Sequence, residues 1–270
     1  MIGDITIGQY FPGNSLIHRM DARMKTVLIF VLMVAVFLCQ SYVSMGLALL
    51  LTLVLVIISK IRLSVILKGM KPILVIVVIT SLLNLFYGSG EPICEFLIFK
   101  ITQSGINNAI FMACRILLLV VIGLMLTYTT TPTALTDAME SLLKPLKVFK
   151  VDTHSIAMTM TIALRFIPIL IEEVEKIIAA QKSRGADMET GGLIKRVKAV
   201  VPVLIPLFIS SFRRANELAD AMECRCYRGG EGRTRMKVSR LQTLDYCALA
   251  FTVVYFAGIV LLKIFTKSVI

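Results

Sequence analysis

The sequence predicts an all-α, polytopic membrane protein with about five transmembrane helices and long amphipathic helices on the cytoplasmic side. Hydrophobic residues make up 57% of the 270 residues, and the mean hydropathy of +0.85 is far above that of soluble domains. Residues 26–59, 72–90, 116–136 and 246–262 contain no charged side chain. Several of these runs reach the roughly 18–20 apolar residues that cross a bilayer.

The charge-free runs divide into five spans. Residues 26–59 would form a helix of roughly 50 Å, which is too long for one span. The polar residues 40–44 therefore predict a turn between two short, tilted spans. The third span is expected at about 72–89, opened by Pro72, with the fourth at about 106–130 and the fifth at about 243–262. These spans define a membrane domain over 1–130 and a C-terminal transmembrane helix within 243–270.

Basic residues predict the orientation of these spans. The first connection has no Lys or Arg, the second has four (Lys60, Arg62, Lys68 and Lys71), and the third has only Lys100. The positive-inside rule then places the N-terminus, the 60–71 loop and residues 131–242 in the cytoplasm, beneath the cell membrane. The net charge of +12 fits an anionic inner leaflet better than a nucleic acid. No nucleic-acid partner is expected.

Residues 131–242 are predicted to form a cytoplasmic region of amphipathic helices. The apolar stretches 156–171 and 199–212 are short for spans, and Arg165 or a pair of prolines interrupts them. Apolar residues advance there by three or four, which indicates helices with one apolar face. The first face contains Ile156, Met160, Ala163 and Ile167, and the second contains Val201, Leu204, Phe208 and Ala215. Pro168 is expected to bend the first helix.

Motifs for catalysis and cofactor binding are absent from the sequence. Residues 229–234 are glycine-rich but lack the spacing and lysine of a phosphate-binding loop, and neither H-E-x-x-H nor G-x-S-x-G occurs. Cys224 and Cys226 have no histidine close in sequence, which disfavours a metal site. The chain is therefore predicted not to be an enzyme and to bind no cofactor or metal itself.

Two short segments repeat one pattern, an arginine between small residues at the end of an apolar-faced helix. They are Ser183-Arg184-Gly185 and Cys224-Arg225-Cys226, and the arginines are 41 residues apart. A forked guanidinium with small neighbours can reach a carboxylate or backbone carbonyls on a partner. The alternative is that both are ordinary solvated arginines in a basic region.

Arg115 lies inside the predicted fourth span, where an ionisable group is costly and often functional. It could pair with Asn84, Glu91 or Glu95, or extend outward to the headgroups. Arg165 and Pro168 are further candidates for a structural or functional role.

Several segments together carry a family resemblance. They are Ser15–Lys25, Thr131–Thr136, Leu164-Arg165-Phe166-Ile167-Pro168, Ala180–Gly185 and Arg214–Tyr227. In this order they resemble the transmembrane T component of energy-coupling factor transporters. Cys226 departs from the family pattern, in which glycine is usual, and this puts the backbone geometry there in question.

The resemblance implies a scaffold between two cytosolic ABC ATPase subunits and a separate membrane protein that binds a vitamin or a transition-metal ion. ATP and Mg²⁺ would be bound by the partner subunits. Arg184 and Arg225, with their small neighbours, would end the coupling helices that insert into grooves of the ATPases. Two rivals remain. A self-sufficient secondary transporter would need broken helices or buried charges at the midplane, and a membrane enzyme would need a catalytic constellation.

Overall fold

A computed structural model describes residues 10–86, 92–96, 99–149, 152–186, 192–229 and 241–265. Within these ranges the chain is almost wholly helical, which confirms the predicted fold class. The helices are α1 (Leu16–Arg19), α2 (Ala22–Leu38), α3 (Tyr42–Ser59), α4 (Leu63–Phe86), α5 (Gln103–Thr129), α6 (Pro132–Leu143), a 3-10 helix (Lys144–Phe149), α7 (Thr153–Ser183), α8 (Leu193–Cys224) and α9 (Thr243–Phe265).

The turn predicted within residues 40–44 lies between α2 and α3. Ser41 caps α3, because its hydroxyl accepts from the Ser44 backbone N–H at 3.3 Å while the Ser44 hydroxyl accepts from the Ser41 N–H at 3.2 Å. This reciprocal arrangement is a capping box, which satisfies two otherwise unpaired donors at the helix start. The polar patch thus ends one apolar helix and begins the next.

The predicted start of the third span at Pro72 is wrong. Helix α4 begins at Leu63 and continues through Pro72, so most of the basic 60–71 connection is helical. A proline inside a helix removes one backbone hydrogen bond, and the flanking turns keep the helix continuous here. A short antiparallel hairpin of β1 (Pro92–Phe96) and β2 (Phe99–Thr102), which the sequence analysis did not predict, lies between α4 and α5.

Among the described residues, five helices are long and apolar enough to cross a membrane, and all of them except α7 overlap a predicted span. They are α3, α4, α5, α7 and α9. Helix α2, which was predicted as the first span, has 17 residues and is not among these five helices. Helix α7 was predicted to lie in the cytoplasm, because many basic residues follow it. Length and composition alone do not place α7, so its cytoplasmic location stays a prediction.

By their contacts, the described residues form two compact units. One contains residues 10–138 and 241–265, and the other contains residues 139–229. In the first unit α5 packs against α2, α3 and α4, and α9 packs against α2. Its core is formed by buried apolar side chains such as Val36, Ala48, Phe111, Ile122 and Ile259. In the second unit α7 packs against α8.

Candidate functional site

The first arginine motif forms the C-terminus of α7. Ser183 is the last helical residue, and Gly185 follows with a φ of 84°. The Gly185 N–H donates to the Lys182 carbonyl at 3.0 Å, and the Ala186 N–H donates to the Gln181 carbonyl at 3.0 Å. These two bonds define a Schellman motif, in which a left-handed residue satisfies the last carbonyls of a helix.

The second arginine motif ends α8 in the same way. The Cys226 N–H donates to the Glu223 carbonyl at 2.8 Å, and the Tyr227 N–H donates to the Met222 carbonyl at 3.0 Å. Cys226 itself has a φ of 54°. It adopts the left-handed conformation that glycine supplies in the first motif, so the departure from glycine leaves the backbone geometry unchanged.

Both arginines occupy the same position, the residue between the last helical turn and the left-handed residue. Their backbone angles are similar, with φ and ψ of −88° and 7° at Arg184 and −94° and 15° at Arg225. Both side chains and their immediate neighbours are exposed. The two motifs therefore present equivalent cationic tips to solvent.

Contacts at three levels show that α7 and α8 run antiparallel. The Tyr227 hydroxyl is 2.9 Å from the Met158 sulfur. Further along, Glu173 accepts from Ser210 at 2.5 Å and from Arg214 at 2.6 Å. The Gln181 side-chain amide reaches the Pro202 carbonyl at 3.5 Å. As the residue number rises along α7, the partner's number falls along α8.

This arrangement places the two arginine tips at opposite ends of the helix pair. The end of α8 lies beside Met158, which is 25 residues before Ser183. At 1.5 Å per residue, the two tips are roughly 37 Å apart along the axis. The sequence showed that the motifs match but not that they point away from each other.

The predicted apolar faces of both helices are exposed in this chain. Met160 is 47% exposed and Phe208 61%. The other predicted residues are also exposed: Ile156, Ala163, Ile167, Val201, Leu204 and Ala215. A groove between the two helices is lined by Ile162, Phe166 and Leu218, and also by Ala215 from the predicted faces. Packing between α7 and α8 therefore leaves the side chains of the predicted faces exposed.

Arg115 pairs differently from the sequence-based expectation. Its guanidinium donates to the Cys39 carbonyl at 2.6 Å and lies 5.1 Å from the centre of the Phe111 ring. Asn84 bonds its own helix instead, at the Thr80 carbonyl. Glu91 and the Glu95 side chain lie outside the described residues. Arg115 therefore fastens α5 to the end of α2, because the C-terminal carbonyls of a helix attract a cation.

Arg165 and Pro168 both lie on α7 and are exposed. Helix α7 continues through Pro168 without a break. A role for either residue stays a prediction.

Several polar contacts between residues far apart in the chain were not predicted from the sequence. Asp245 is fully buried and accepts from the backbone N–H groups of Asp21 at 3.0 Å and Gln242 at 2.8 Å. Lys25 is also buried and donates to the Thr129 carbonyl and the Thr130 hydroxyl. Asp21 and Asp245 are 224 residues apart, so no local pattern could have connected them. The Glu173–Arg214 pair likewise depends on the register of α7 against α8.

These features define a class: a multi-pass membrane protein that carries a pair of arginine-tipped helices. A model of the family described as "Cobalt transport protein" matches residues 13–236. The chain is 54% identical over 263 residues to the energy-coupling factor transporter transmembrane protein EcfT of Ruminiclostridium cellulolyticum, covering 97% of this chain and 98% of the relative.

Two further relatives carry the same name. The protein from Clostridium kluyveri is 48% identical over 92% of this chain and 93% of its own length, and that from Bacillus subtilis is 45% identical over 88% and 90%. The chain therefore belongs to the family of energy-coupling factor transporter transmembrane proteins. It is a transport component that works within a complex of other components.

Proposed function

We propose that this chain is the coupling subunit between two cytosolic ABC ATPase subunits and a separate membrane protein that binds the substrate. The observation that carries the proposal is the matched pair of exposed arginine tips at opposite ends of α7 and α8. Two equivalent tips roughly 37 Å apart offer one docking point to each of two similar partners. A solvated surface arginine needs neither matching backbone geometry nor this separation.

In the proposed mechanism, nucleotide binding brings the two ATPase subunits together, and Arg184 and Arg225 move with them. Each guanidinium bonds carbonyls or a carboxylate in a groove of its ATPase. Because both helix ends are capped by Schellman motifs, the tips are well ordered and transmit displacement into α7 and α8. The chain itself binds no ATP, Mg²⁺ or other cofactor in this proposal, because the partner subunits hold the nucleotide.

The exposed apolar faces of α7 and α8 are proposed to contact the substrate-binding membrane subunit. Side chains such as Met160, Ile167, Leu204 and Phe208 expose hydrophobic surface that a partner would cover. The N-terminus and residues 131–242 lie in the cytoplasm in this proposal, since most of the basic residues are there. The transported substrate in this proposal is a vitamin or a transition-metal ion, and the family description "Cobalt transport protein" supports the metal ion.

The arginine tips are tested by replacing Arg184 and Arg225 with alanine, singly and together. We expect each single variant to weaken ATPase association and the double variant to abolish ATP-coupled uptake into proteoliposomes. Arg213→Ala is the matched control, because Arg213 is an exposed arginine on the body of α8. Unimpaired uptake by the double variant would contradict the coupling role. Uptake by this chain without ATPase subunits would favour a self-sufficient transporter.

A further inference from the structure

A polar cavity of about 540 Å³ lies at one end of the unit that contains the membrane helices. The ends of α1 and α5 and the starts of α2 and α6 form its wall. Arg19, Asp21, Arg23, Lys25, Thr131 and Thr133 are among its lining residues. The proposed coupling tips are not part of it.

Three basic side chains, Arg19, Arg23 and Lys25, and two carboxylates, Asp21 and Asp137, line this cavity. Arg19 is exposed and Arg23 half-buried, while Lys25 already bonds Thr129 and Thr130. The first turn of α6 follows Thr131, so its backbone N–H groups add a partial positive charge. Burial lowers the pKa of His18, which bonding to the Phe11 carbonyl opposes in part. His18 is therefore mostly neutral near pH 7.

One acceptor in the cavity wall has no partner among the described residues. The Asp21 Oδ1 atom accepts from the Arg23 N–H, but the buried Oδ2 atom has no hydrogen bond. A buried carboxylate oxygen without a donor is unfavourable. The atom is closed to solvent in this arrangement, so a ligand hydroxyl would satisfy it once the Asp21 carboxylate turns toward the cavity.

An apolar pocket adjoins the polar cavity. It has a volume of about 110 Å³, and Met20 and Lys25 belong to the walls of both. Its other walls are apolar side chains of the membrane helices, among them Leu28, Leu55 and Phe251. Phe251 is 58% exposed on α9, so the pocket borders a surface that faces lipid. The polar cavity and the apolar pocket thus share a wall at Met20 and Lys25.

We propose that the two cavities together bind one anionic glycerophospholipid with a hydroxyl-bearing headgroup, namely phosphatidylglycerol. The phosphate accepts hydrogen bonds from Arg19 and Arg23, and a headgroup hydroxyl donates to the Asp21 Oδ2 atom. One acyl chain enters the pocket beside Leu55 and Phe251. A soluble phosphate would use the polar cavity alone and leave the adjoining apolar pocket unused. The lipid would hold the starts of α2 and α6 against the end of α5.

Native mass spectrometry of the full chain in detergent tests this site. The chain is mixed with phosphatidylglycerol, with phosphatidylcholine of the same acyl chains, or with glycerol 3-phosphate. We expect one phosphatidylglycerol molecule to be retained, with at least tenfold weaker retention of the other two. Equal retention of phosphatidylcholine, or equally tight binding of glycerol 3-phosphate, would overturn the proposal.

Charge-matched variants separate the site from general attraction to basic protein. Arg19→Gln with Arg23→Gln should lower phosphatidylglycerol retention at least tenfold. Arg62→Gln with Lys68→Gln removes two exposed cations outside the cavity and should leave retention unchanged. An equal loss of phosphatidylglycerol retention in both double variants would show that retention depends only on net charge, and this would reject the site.

A third variant tests the apolar pocket without changing charge. Ala248 lines the pocket from α9, and Ala248→Phe should fill it and lower retention. Thermal unfolding in phosphatidylcholine alone shows whether each variant is folded. Full retention by a folded Ala248→Phe protein would contradict the assigned acyl chain position.

Discussion

Gly105 and Gly69 allow α4 and α5 to pack closely in the membrane unit. A Cβ atom on Gly105 would lie 2.6 Å from the Leu85 backbone carbonyl oxygen, and one on Gly69 would lie 2.3 Å from the Tyr128 hydroxyl. Real Cβ atoms do not approach other atoms this closely. Backbone cannot yield as a flexible side chain can, so the Gly105 contact is the more restrictive of the two.

Gly105→Ala is expected to destabilise the protein by about 1–3 kcal/mol, as overpacking does in a close-packed interior. Gly69→Ala should cost less, because the Tyr128 ring has some freedom to shift. Gly46→Ala is the control, since nothing lies within 4 Å of its Cβ position, and helix propensity should make it neutral or slightly stabilising. Thermal unfolding in detergent measures all three. A Gly105→Ala protein as stable as Gly46→Ala would contradict the close approach.

Cys226 adopts a left-handed backbone conformation at the end of α8, a position where glycine is usual. The sequence raised the question of whether cysteine could replace glycine at a helix end, and the φ of 54° answers that it does. A residue with a Cβ atom pays a steric cost of about 1 kcal/mol in this conformation. The two Schellman bonds and the Tyr227 contact hold it there. The Tyr227 contact with Met158, 69 residues away, does not follow from the local sequence.

Helices α7 and α8 pack against each other as an antiparallel pair. Apolar periodicity correctly indicated two long helices, and the repeated motif indicated where each ends. The antiparallel register depends on side-chain contacts between residues 21 to 69 positions apart, such as Gln181 with Pro202 and Met158 with Tyr227. Periodicity carries no information about such pairings, which is why the opposite placement of the tips was not predicted.

The ion pair between Glu173 and Arg214 tests this register. A double-mutant cycle with Glu173→Ala and Arg214→Ala should give a coupling energy of about 0.5–1 kcal/mol in thermal or denaturant unfolding. The value is modest because the side chains are 22% and 39% exposed and solvent screens such pairs. Pairing Glu173→Ala with Arg213→Ala should show no coupling. Zero coupling for the Arg214 pair as well would contradict the proposed register.

At the scale of the whole molecule, Asp245 connects the two ends of the chain. It places the start of α9 against the start of α2 through the Asp21 N–H, and it attracts the buried Lys25. Hydropathy found both helices, because long apolar runs are a strong local signal. It could not pair them, since the connecting carboxylate lies outside the charge-free run and its partner at the start of α2, the Asp21 N–H, is 224 residues away.

Asp245→Ala is expected to lower the free energy of unfolding by about 3 kcal/mol. The substitution leaves two backbone donors unpaired and removes one of the two negative charges that act on the buried Lys25. Asp137→Ala removes an exposed carboxylate from the same unit and should change stability by less than about 0.5 kcal/mol. Thermal unfolding in detergent compares the two. Equal stability of the two variants would show that Asp245 does not hold α9 in place.

The antiparallel α7–α8 pair has a geometric consequence for evolution and engineering. Deleting one residue from the middle of α7 would shorten the reach between Arg184 and Arg225 by about 1.5 Å and also rotate Arg184 by about 100°. Span and direction therefore cannot be altered independently by a single insertion or deletion. An insertion keeps the direction of Arg184 only if its length is close to a whole number of helical turns. Seven inserted residues, for example, are close to two turns and would lengthen α7 by about 10 Å.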